Sequence, residues 1–390
     1  MPEGEQVAAG VGSQNGPSDG VDQAGHEQKA HGQADASRQE FAPEPPRASV
    51  VLPEAAPLCA QLNHAGIIAG SMEKIRAAVI GVGYLGRFHA QKYASLADCE
   101  LVGVVDSDPD TARRVAAELG TQPIADFREL FGRVDAVSVA TPTPTHADIA
   151  MGLLQSGAHV LVEKPIAETL VQAQQLIEAA RAARRVLQVG HLERFNPTIL
   201  AAESLLTRAR FIECHRLAPF RERGTDVNVV LDLMIHDIDL LQMIVGSPVT
   251  ALEAIGTPVF SSEIDIANAR LRFQSGCVAN VTASRVSLKT ERKVRIFRDD
   301  AYLSLDLQQK ILTVIRKRAG GAGPGELPVQ IEEQSFAQGD ALLAEIQAFL
   351  SAVRGTGPVV VSGEDGARAL RTAIEITQRV ASMPAQAVHG

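Results

Sequence analysis

The chain has 390 residues, of which 45% are hydrophobic and 21% charged, and its net charge is −9 at pH 7. This length suits two domains better than one, and the apolar content suffices for buried cores. The acidic balance, the 4% aromatic content and the absence of tryptophan argue against a nucleic-acid partner, and no run approaches the roughly 20 apolar residues of a membrane-spanning helix.

Residues 1–71 differ in composition from the rest of the chain. They contain seven prolines, nine glycines, and nine acidic against three basic residues, a net charge of −6. Such a segment cannot bury enough apolar surface to offset the entropy lost on ordering, so we expect a disordered tail without a signal peptide. If translated, it would be a regulatory or interaction segment. Because Met72 stands two residues before the first predicted strand, the alternative is that translation starts there.

Residues 72–190 are predicted to form a doubly wound α/β domain with a parallel sheet. Short apolar runs alternate with helical segments of 10–15 residues, a pattern typical of this architecture. The predicted strands are 75–80, 101–105, 135–140, 159–162 and 186–189. The predicted helices are 84–96, 109–119, 146–156 and 170–183.

Residues 191–390 are predicted to form a second domain of α+β type, for substrate binding and oligomerisation. Helices at 197–206 and 228–245 flank a strand at 211–217, and β-patterned stretches fill 249–315. These stretches indicate a large, mainly antiparallel sheet with one helix-covered face. Two predicted helices, 341–353 and 364–382, come last in the chain and could pack back on the first domain.

The four cysteines are scattered and form no C-x-x-C pair, and the sequence has no H-E-x-x-H motif. We therefore expect no disulfide framework, no metal, and a reducing, cytoplasmic location. These cysteines are Cys59, Cys99, Cys214 and Cys277.

A G-x-G-x-x-G motif follows the first strand and opens the first helix. An aspartate, Asp106, stands 20 residues later at the end of the second strand, which completes the dinucleotide-binding pattern. The glycines would allow a tight turn and close approach of the diphosphate to the helix N-terminus. Asp106 and Asp108 would repel a 2′-phosphate, with no arginine adjacent, so NAD is favoured over NADP. The alternative is a glycine-rich turn without a ligand. The motif residues are Gly81, Val82, Gly83, Tyr84, Leu85 and Gly86.

Two further motifs end strands on the same carboxyl edge of the sheet, where ligands bind in open α/β folds. The first contributes Thr141, Pro142 and His146, although His146 could be only a surface residue that starts a helix. The second contributes Glu163 and Lys164. A lysine desolvated beside a nicotinamide would have a lowered pKa and could act as acid or base.

The predicted helix 228–245 is apolar nearly all round, so most of it must be buried. It carries Asp232, His236 and Asp239 at positions i, i+4 and i+7, on one stripe. Burying these groups is costly unless they are hydrogen-bonded or face a polar site, so they form either a catalytic group or a structural cluster. In the catalytic case Asp232 would orient His236 or raise its basicity.

These motifs, in this order, resemble the glucose–fructose oxidoreductase and inositol dehydrogenase (Gfo/Idh/MocA) family over about residues 74–383. The resemblance implies an NAD-dependent sugar oxidoreductase that works as a homodimer or homotetramer, in which Pro165 is cis. It also implies that three residues line the nicotinamide and the reacting sugar carbon: Lys164, Asp232 and His236. Whether Lys164 or His236 is the base stays open.

Within the family, segments 190–197 and 224–241 are most similar to UDP-N-acetylglucosamine 3-dehydrogenases. This implies oxidation of the sugar-nucleotide 3-hydroxyl, followed by a partner aminotransferase in lipid A synthesis. The alternatives are a dehydrogenase of a free polyol or aldose and a non-catalytic NAD- or sugar-sensing regulator. The segments flanking the site supply further candidate substrate ligands, which could equally be ordinary surface residues: Arg194, Asn196, Arg221 and Arg223.

Overall fold

The computed structural model describes residues 73–221, 227–321, 326–337 and 339–382. The predicted tail 1–71 and Arg223 lie outside these residues. No helix of the described part is long and apolar enough to cross a membrane.

The first sheet consists of six parallel strands in the order β3-β2-β1-β4-β5-β6. Its central strands are short apolar runs that are buried almost throughout, as expected for strands covered on both faces. The strands are β1 (Ile75–Ile80), β2 (Cys99–Val105), β3 (Gln122–Ile124), β4 (Ala136–Val139), β5 (His159–Glu163) and β6 (Leu187–Gly190). This arrangement confirms the predicted doubly wound domain.

Four helices cross over between these strands. Two of them begin at side chains that accept backbone hydrogen bonds in the first turn: Asp108 caps the second helix, and Thr169 forms a capping box with Gln172 in the fourth. The helices are α1 (Tyr84–Ser95), α2 (Pro109–Leu119), α3 (His146–Gln155) and α4 (Leu170–Ala183).

The second sheet has eight strands in the order β14-β13-β12-β11-β7-β10-β9-β8. All neighbours are antiparallel except β7 and β10, which confirms the predicted mainly antiparallel sheet. The strands are β7 (Phe211–Leu217), β8 (Val249–Thr257), β9 (Ile266–Phe273), β10 (Val278–Ser284), β11 (Glu291–Phe297), β12 (Ala301–Asp306), β13 (Ile311–Lys317) and β14 (Val329–Ser335).

One face of this sheet is covered by helical structure. The short helix α5 (Pro197–Ala202) precedes β7, and a π-helical turn (Val230–Met234) continues into α6 (Ile235–Val245). Buried residues of the turn and of α6 share one core with the inward side chains of β7 and β9–β13. The π turn is therefore anchored on this sheet by its buried residues Val230 and Met234.

The two closing helices, α7 (Ala341–Val353) and α8 (Gly363–Ala381), join the two halves. Ile346 and Phe349 of α7 lie in the same core as Tyr93 of α1, on one face of the first sheet. Ala373 and Ile376 of α8 instead belong to the core of the second sheet. Helix α7 thus completes the hydrophobic core on one face of the first sheet, although it lies more than 150 residues after the last strand of that sheet.

Candidate active site

The glycine-rich turn after β1 is packed too tightly for any other residue at two of its positions. Gly81 has φ +80°, and a Cβ there would lie 2.7 Å from the carbonyl oxygen of Ala140. A Cβ on Gly86 would lie 1.7 Å from the carbonyl oxygen of Gly81. The turn therefore brings the start of α1 directly against the ends of β1 and β4.

Gly83, in contrast, faces open space. A Cβ there would meet nothing within 4 Å, and Gly83 caps α1 without a side-chain hydrogen bond or an acidic residue in the first turn. The backbone N–H groups at this helix end are thus left for an anion. They open onto a cleft of about 750 Å³ that is also lined by predicted residues: Tyr84, Leu85, Asp106, Thr141 and Pro142.

Asp106 is fixed by the turn that it faces. Its carboxylate accepts hydrogen bonds from the Val82 amide at 2.8 Å and the Asp108 amide at 3.0 Å. The carboxylate retains further acceptor capacity toward the cleft, since each oxygen has two lone pairs.

The cleft has a second wall that the sequence reasoning missed, formed by residues around Phe127. Arg128 lies there, so an arginine is near Asp106 in space although none is adjacent in sequence. The Arg128 guanidinium hydrogen-bonds both oxygens of Asp126, which lowers the pKa of Asp126 to about 2. The arginine is thus already paired, and the preference for NAD over NADP stays a prediction.

His146 is neither a surface residue nor free to contact a cofactor. Its ring is buried, with Nδ1 2.8 Å from the Pro165 carbonyl and Nε2 2.8 Å from the Thr141 carbonyl. Both ring nitrogens are therefore occupied by backbone. The predicted direct role in cofactor binding is wrong, and His146 instead ties together the two loops that carry Thr141 and Lys164.

Lys164 stands at the end of β5, before a cis peptide bond to Pro165 as the resemblance implied. Its Nζ donates to the carbonyl oxygen of Asp232 at 2.7 Å and lies 3.6 Å from the Asp232 carboxylate. Asp232 lies in the π-helical turn, a feature often found at functional sites. Asp232 is thus paired with Lys164, whereas we expected from the sequence that Asp232 would orient His236.

His236 follows the π turn, and its buried Nδ1 has no hydrogen-bond partner in the part of the chain that the structure describes. Burial lowers its pKa well below the ordinary value, and the positive charges of Lys164 and Arg216 lower it further. The imidazole is therefore neutral near pH 7.

A second histidine, His191, was not predicted as a site residue. Its ring lies edge-on to that of His236, with centroids 6.3 Å apart, and both of its nitrogens are buried without a partner among the described residues. Burial lowers its pKa as well. The signal was available, since His191 directly follows β6 on the same sheet edge as Lys164.

Two family models match the chain. One, described as the oxidoreductase family with an NAD-binding Rossmann fold, covers residues 75–191. The other, the GFO/IDH/MocA C-terminal domain, covers residues 199–304. The chain belongs to the GFO/IDH/MocA family.

Among its curated relatives is the UDP-N-acetylglucosamine 3-dehydrogenase of Acidithiobacillus ferrooxidans, 40% identical over 78% of this chain and 97% of the relative. A solved structure of that enzyme covers 79% of this chain and 98% of its own, with a TM-score of 0.75 and 39% identity. The myo-inositol 2-dehydrogenase of Thermotoga maritima is 27% identical over 76% of this chain and 93% of the relative.

As a member of this family, the chain is an oxidoreductase with NAD as its cofactor. The residues present fit that cofactor. The glycine turn leaves the N-terminus of α1 uncapped beside a large cleft, and Asp106 lies in the cleft wall.

Arg194 does not have the predicted substrate-binding role. Its guanidinium, only 7% exposed, makes two hydrogen bonds to Asp239, at 2.7 and 2.5 Å, and one to the Val360 carbonyl. This buried ion pair joins the segment after β6 to α6. Asp239, expected on the same stripe as His236, therefore has a structural role.

Asn196 is likewise structural. Its side chain caps α5 by accepting from the Thr198 amide, and its amide group donates to Glu193 and to the Leu307 carbonyl. The predicted contact with substrate is wrong, because these three partners hold the side chain in the interior. Arg221 is exposed and stays a predicted substrate ligand.

Glu163, predicted to contact the cofactor, points into the protein. Its Oε1 lies 3.0 Å from His89 Nε2, and its side chain is 12% exposed. A Cβ on Gly190 would collide with this carboxylate at 2.8 Å. The Glu163 side chain thus lies behind Lys164, on the interior side of the sheet edge, and the predicted contact with the cofactor is wrong.

Proposed function

We propose that this chain is an NAD-dependent dehydrogenase that oxidises the 3-hydroxyl group of UDP-N-acetylglucosamine. The observation that carries this proposal is the 40% identity to a relative of that activity over 97% of the relative's length. The inositol 2-dehydrogenases of Thermotoga maritima and Rhizobium meliloti are 27% and 24% identical. A free polyol or aldose is therefore the second candidate substrate.

The uncapped amides of α1 would hold the diphosphate of NAD⁺, and Asp106 would accept hydrogen bonds from its ribose hydroxyls; the bound cofactor would supply the hydride acceptor. Thr141 and Pro142 line the same cleft on the sheet edge that carries Lys164.

His236 takes the hydroxyl proton in this proposal. Its imidazole is neutral near pH 7, whereas the Lys164 amine donates to the Asp232 carbonyl. Lys164 then donates a hydrogen bond to the substrate oxygen and stabilises the negative charge that develops as the proton leaves. Asp232 holds Lys164 in that orientation.

The test measures NADH formation with UDP-N-acetylglucosamine, myo-inositol and glucose in parallel, with an aminotransferase and an amino donor to consume the keto product. We expect turnover with the UDP-sugar alone. Lys164→Met and His236→Asn should each lower kcat by about 10²–10⁴-fold and leave the Kd for NAD within about threefold. Lys74→Met, at an exposed lysine, is the matched control.

Turnover of the free sugars alone would show that the substrate is a free polyol or aldose and that the chain is still a sugar dehydrogenase. Full turnover by Lys164→Met or His236→Asn would remove that residue from the mechanism. NAD binding without turnover of any of the three sugars would favour a sensor.

The proposal extends to partners and location. An aminotransferase would consume the keto product, and the chain would work as a homodimer or homotetramer in the cytoplasm. Light scattering on the purified protein tests the oligomer, and a monomer would contradict it.

A further inference from the structure

A fully buried carboxyl group lies behind the active site with no apparent partner. Glu345, on α7, has 0% exposure, and neither of its carboxylate oxygens has a hydrogen-bond partner among the described residues. Its helix neighbour Ile346 packs in the hydrophobic core of the first sheet. A bare carboxylate in such a place would be very costly, so its charge must be cancelled or absent.

Glu345 faces a chain of polar groups that ends at the catalytic loop. Its carboxylate, that of Glu163 and the His89 ring have ligand atoms that all lie within 4.8 Å of one another. The second His89 nitrogen lies 3.1 Å from the Ser138 hydroxyl, which is 2.9 Å from the buried Tyr93 hydroxyl. Glu163 is the residue directly before Lys164.

The two carboxyl groups are unequally supported. Glu163 lies within hydrogen-bond distance of His89, and Glu163 Oε2 lies 3.3 Å from the Lys164 amide. Burial alone would raise the pKa of Glu163, but His89 and the Lys164 charge more than offset this and lower it. Burial, together with the charge of Glu163, raises the pKa of Glu345 well above the ordinary 4.5. Two buried carboxylates this close cannot both ionise cheaply, so one proton stays with the pair.

We propose that Glu345 is a positioning residue that carries a proton in the working enzyme and, through Glu163, keeps a single negative charge behind Lys164. The groups facing Glu345 are Glu163 on β5 and His89 and Tyr93 on α1. A second negative charge at this position would draw the Lys164 ammonium away from Asp232. The inference rests on the proposed function only in taking Lys164 as catalytic.

The stability of the fold should carry the signature of this proton. The folded protein retains it above pH 4.5, whereas the unfolded chain releases it. The Glu345 contribution to stability is therefore full below pH 4.5 and is lost as the pH rises toward the raised pKa of the folded state. Glu345→Gln keeps the shape and a donor but cannot ionise, so this dependence should disappear.

The experiment compares wild type, Glu345→Gln, Glu345→Leu and the exposed control Glu178→Gln. At pH 7 the infrared spectrum of the wild type and of Glu178→Gln should contain the carbonyl band of a protonated, buried carboxyl group, which Glu345→Gln lacks. Thermal melts between pH 5 and 8 should show a flatter pH dependence for Glu345→Gln than for the wild type.

Kinetics supply the third readout. In neither Glu345→Gln nor Glu345→Leu can this position acquire a negative charge, so the kcat of both variants should persist to higher pH than that of the wild type, with KM for NAD unchanged.

Three results would overturn the proposal: no protonated-carboxyl band in the wild type, melting curves of Glu345→Gln with the wild-type pH dependence, or about one divalent metal ion per chain that Glu345→Gln loses. The last would mean that Glu345, Glu163 and His89 bind a cation. The infrared and melting results need no substrate. The proposed function can therefore fail while this inference stands, and this inference can fail while the proposed function stands.

Discussion

Substituting alanine for two glycines only three residues apart should separate folding from cofactor binding. A Cβ at position 86 would lie 1.7 Å from the Gly81 carbonyl oxygen, so α1 must move away from the turn. Overpacking of this kind costs about 1–3 kcal/mol, and a clash with backbone belongs at the upper end. Alanine gains about 1 kcal/mol of helix propensity over glycine, so we expect Gly86→Ala to lose about 2 kcal/mol of stability.

Gly83→Ala should leave the stability of the fold nearly unchanged and weaken NAD binding. Its Cβ meets no atom within 4 Å, and replacing glycine by alanine at a helix N-cap costs only about 0.5–1 kcal/mol. The new methyl group would instead occupy the cleft in front of the α1 amides and push the diphosphate away from them. Losing one charge-assisted hydrogen bond costs about 1.5–3 kcal/mol, equivalent to a roughly 10–100-fold weaker affinity for NAD.

Thermal melts without cofactor and calorimetric titration with NAD measure the two effects separately. Gly83→Ala should have a melting temperature close to that of the wild type and should bind NAD weakly. Wild-type NAD affinity in Gly83→Ala would refute the placement of the diphosphate at this turn, and a wild-type melting temperature in Gly86→Ala would refute the packing argument.

Three further predictions follow from the same structure. Asp239→Asn removes the carboxylate that accepts two hydrogen bonds from the buried Arg194 guanidinium and leaves Asp365, 3.5 Å away, as the remaining counter-charge. It should destabilise the fold by about 1.5–3 kcal/mol in urea titrations, whereas an unchanged midpoint would contradict the pairing. Asp106→Ala should weaken NAD binding and narrow the preference over NADP in parallel titrations; an unchanged ratio would exclude Asp106 as the discriminating group. Because the pKa of His236 is lowered, the folded state loses stability as the pH falls below the ordinary value of 6.5, and His236→Asn should melt with less acid sensitivity than the wild type; equal sensitivity would show that His236 is not held neutral.

The sequence predicted both sheets and most of their strands because burial leaves a regular pattern in the residues. It missed β3, which is three residues long and contains Pro123, and β14, whose exposed edge position removes the apolar alternation. Short or exposed strands are specified by their neighbours rather than by their own residues.

The site was predicted less completely, for a different reason. The positions of Lys164, Asp232 and His236 follow from motifs at strand ends and on one helix. The partners of Arg194 and Asn196 lie at a distance in sequence, so only the fold could show that both side chains are already engaged. Glu345 was overlooked since a single acidic residue in an apolar helix normally points to solvent.

The closing helices also bear on how the chain is made. The first sheet emerges from the ribosome long before α7, yet Ile346 and Phe349 of α7 fill the same core as Tyr93. Until α7 arrives, the part of that face which Ile346 and Phe349 cover stays exposed on the nascent chain and is open to aggregation. The nucleotide-binding half therefore cannot complete its core until α7 has been made, and loss of α7 should impair that half although the two lie far apart in sequence.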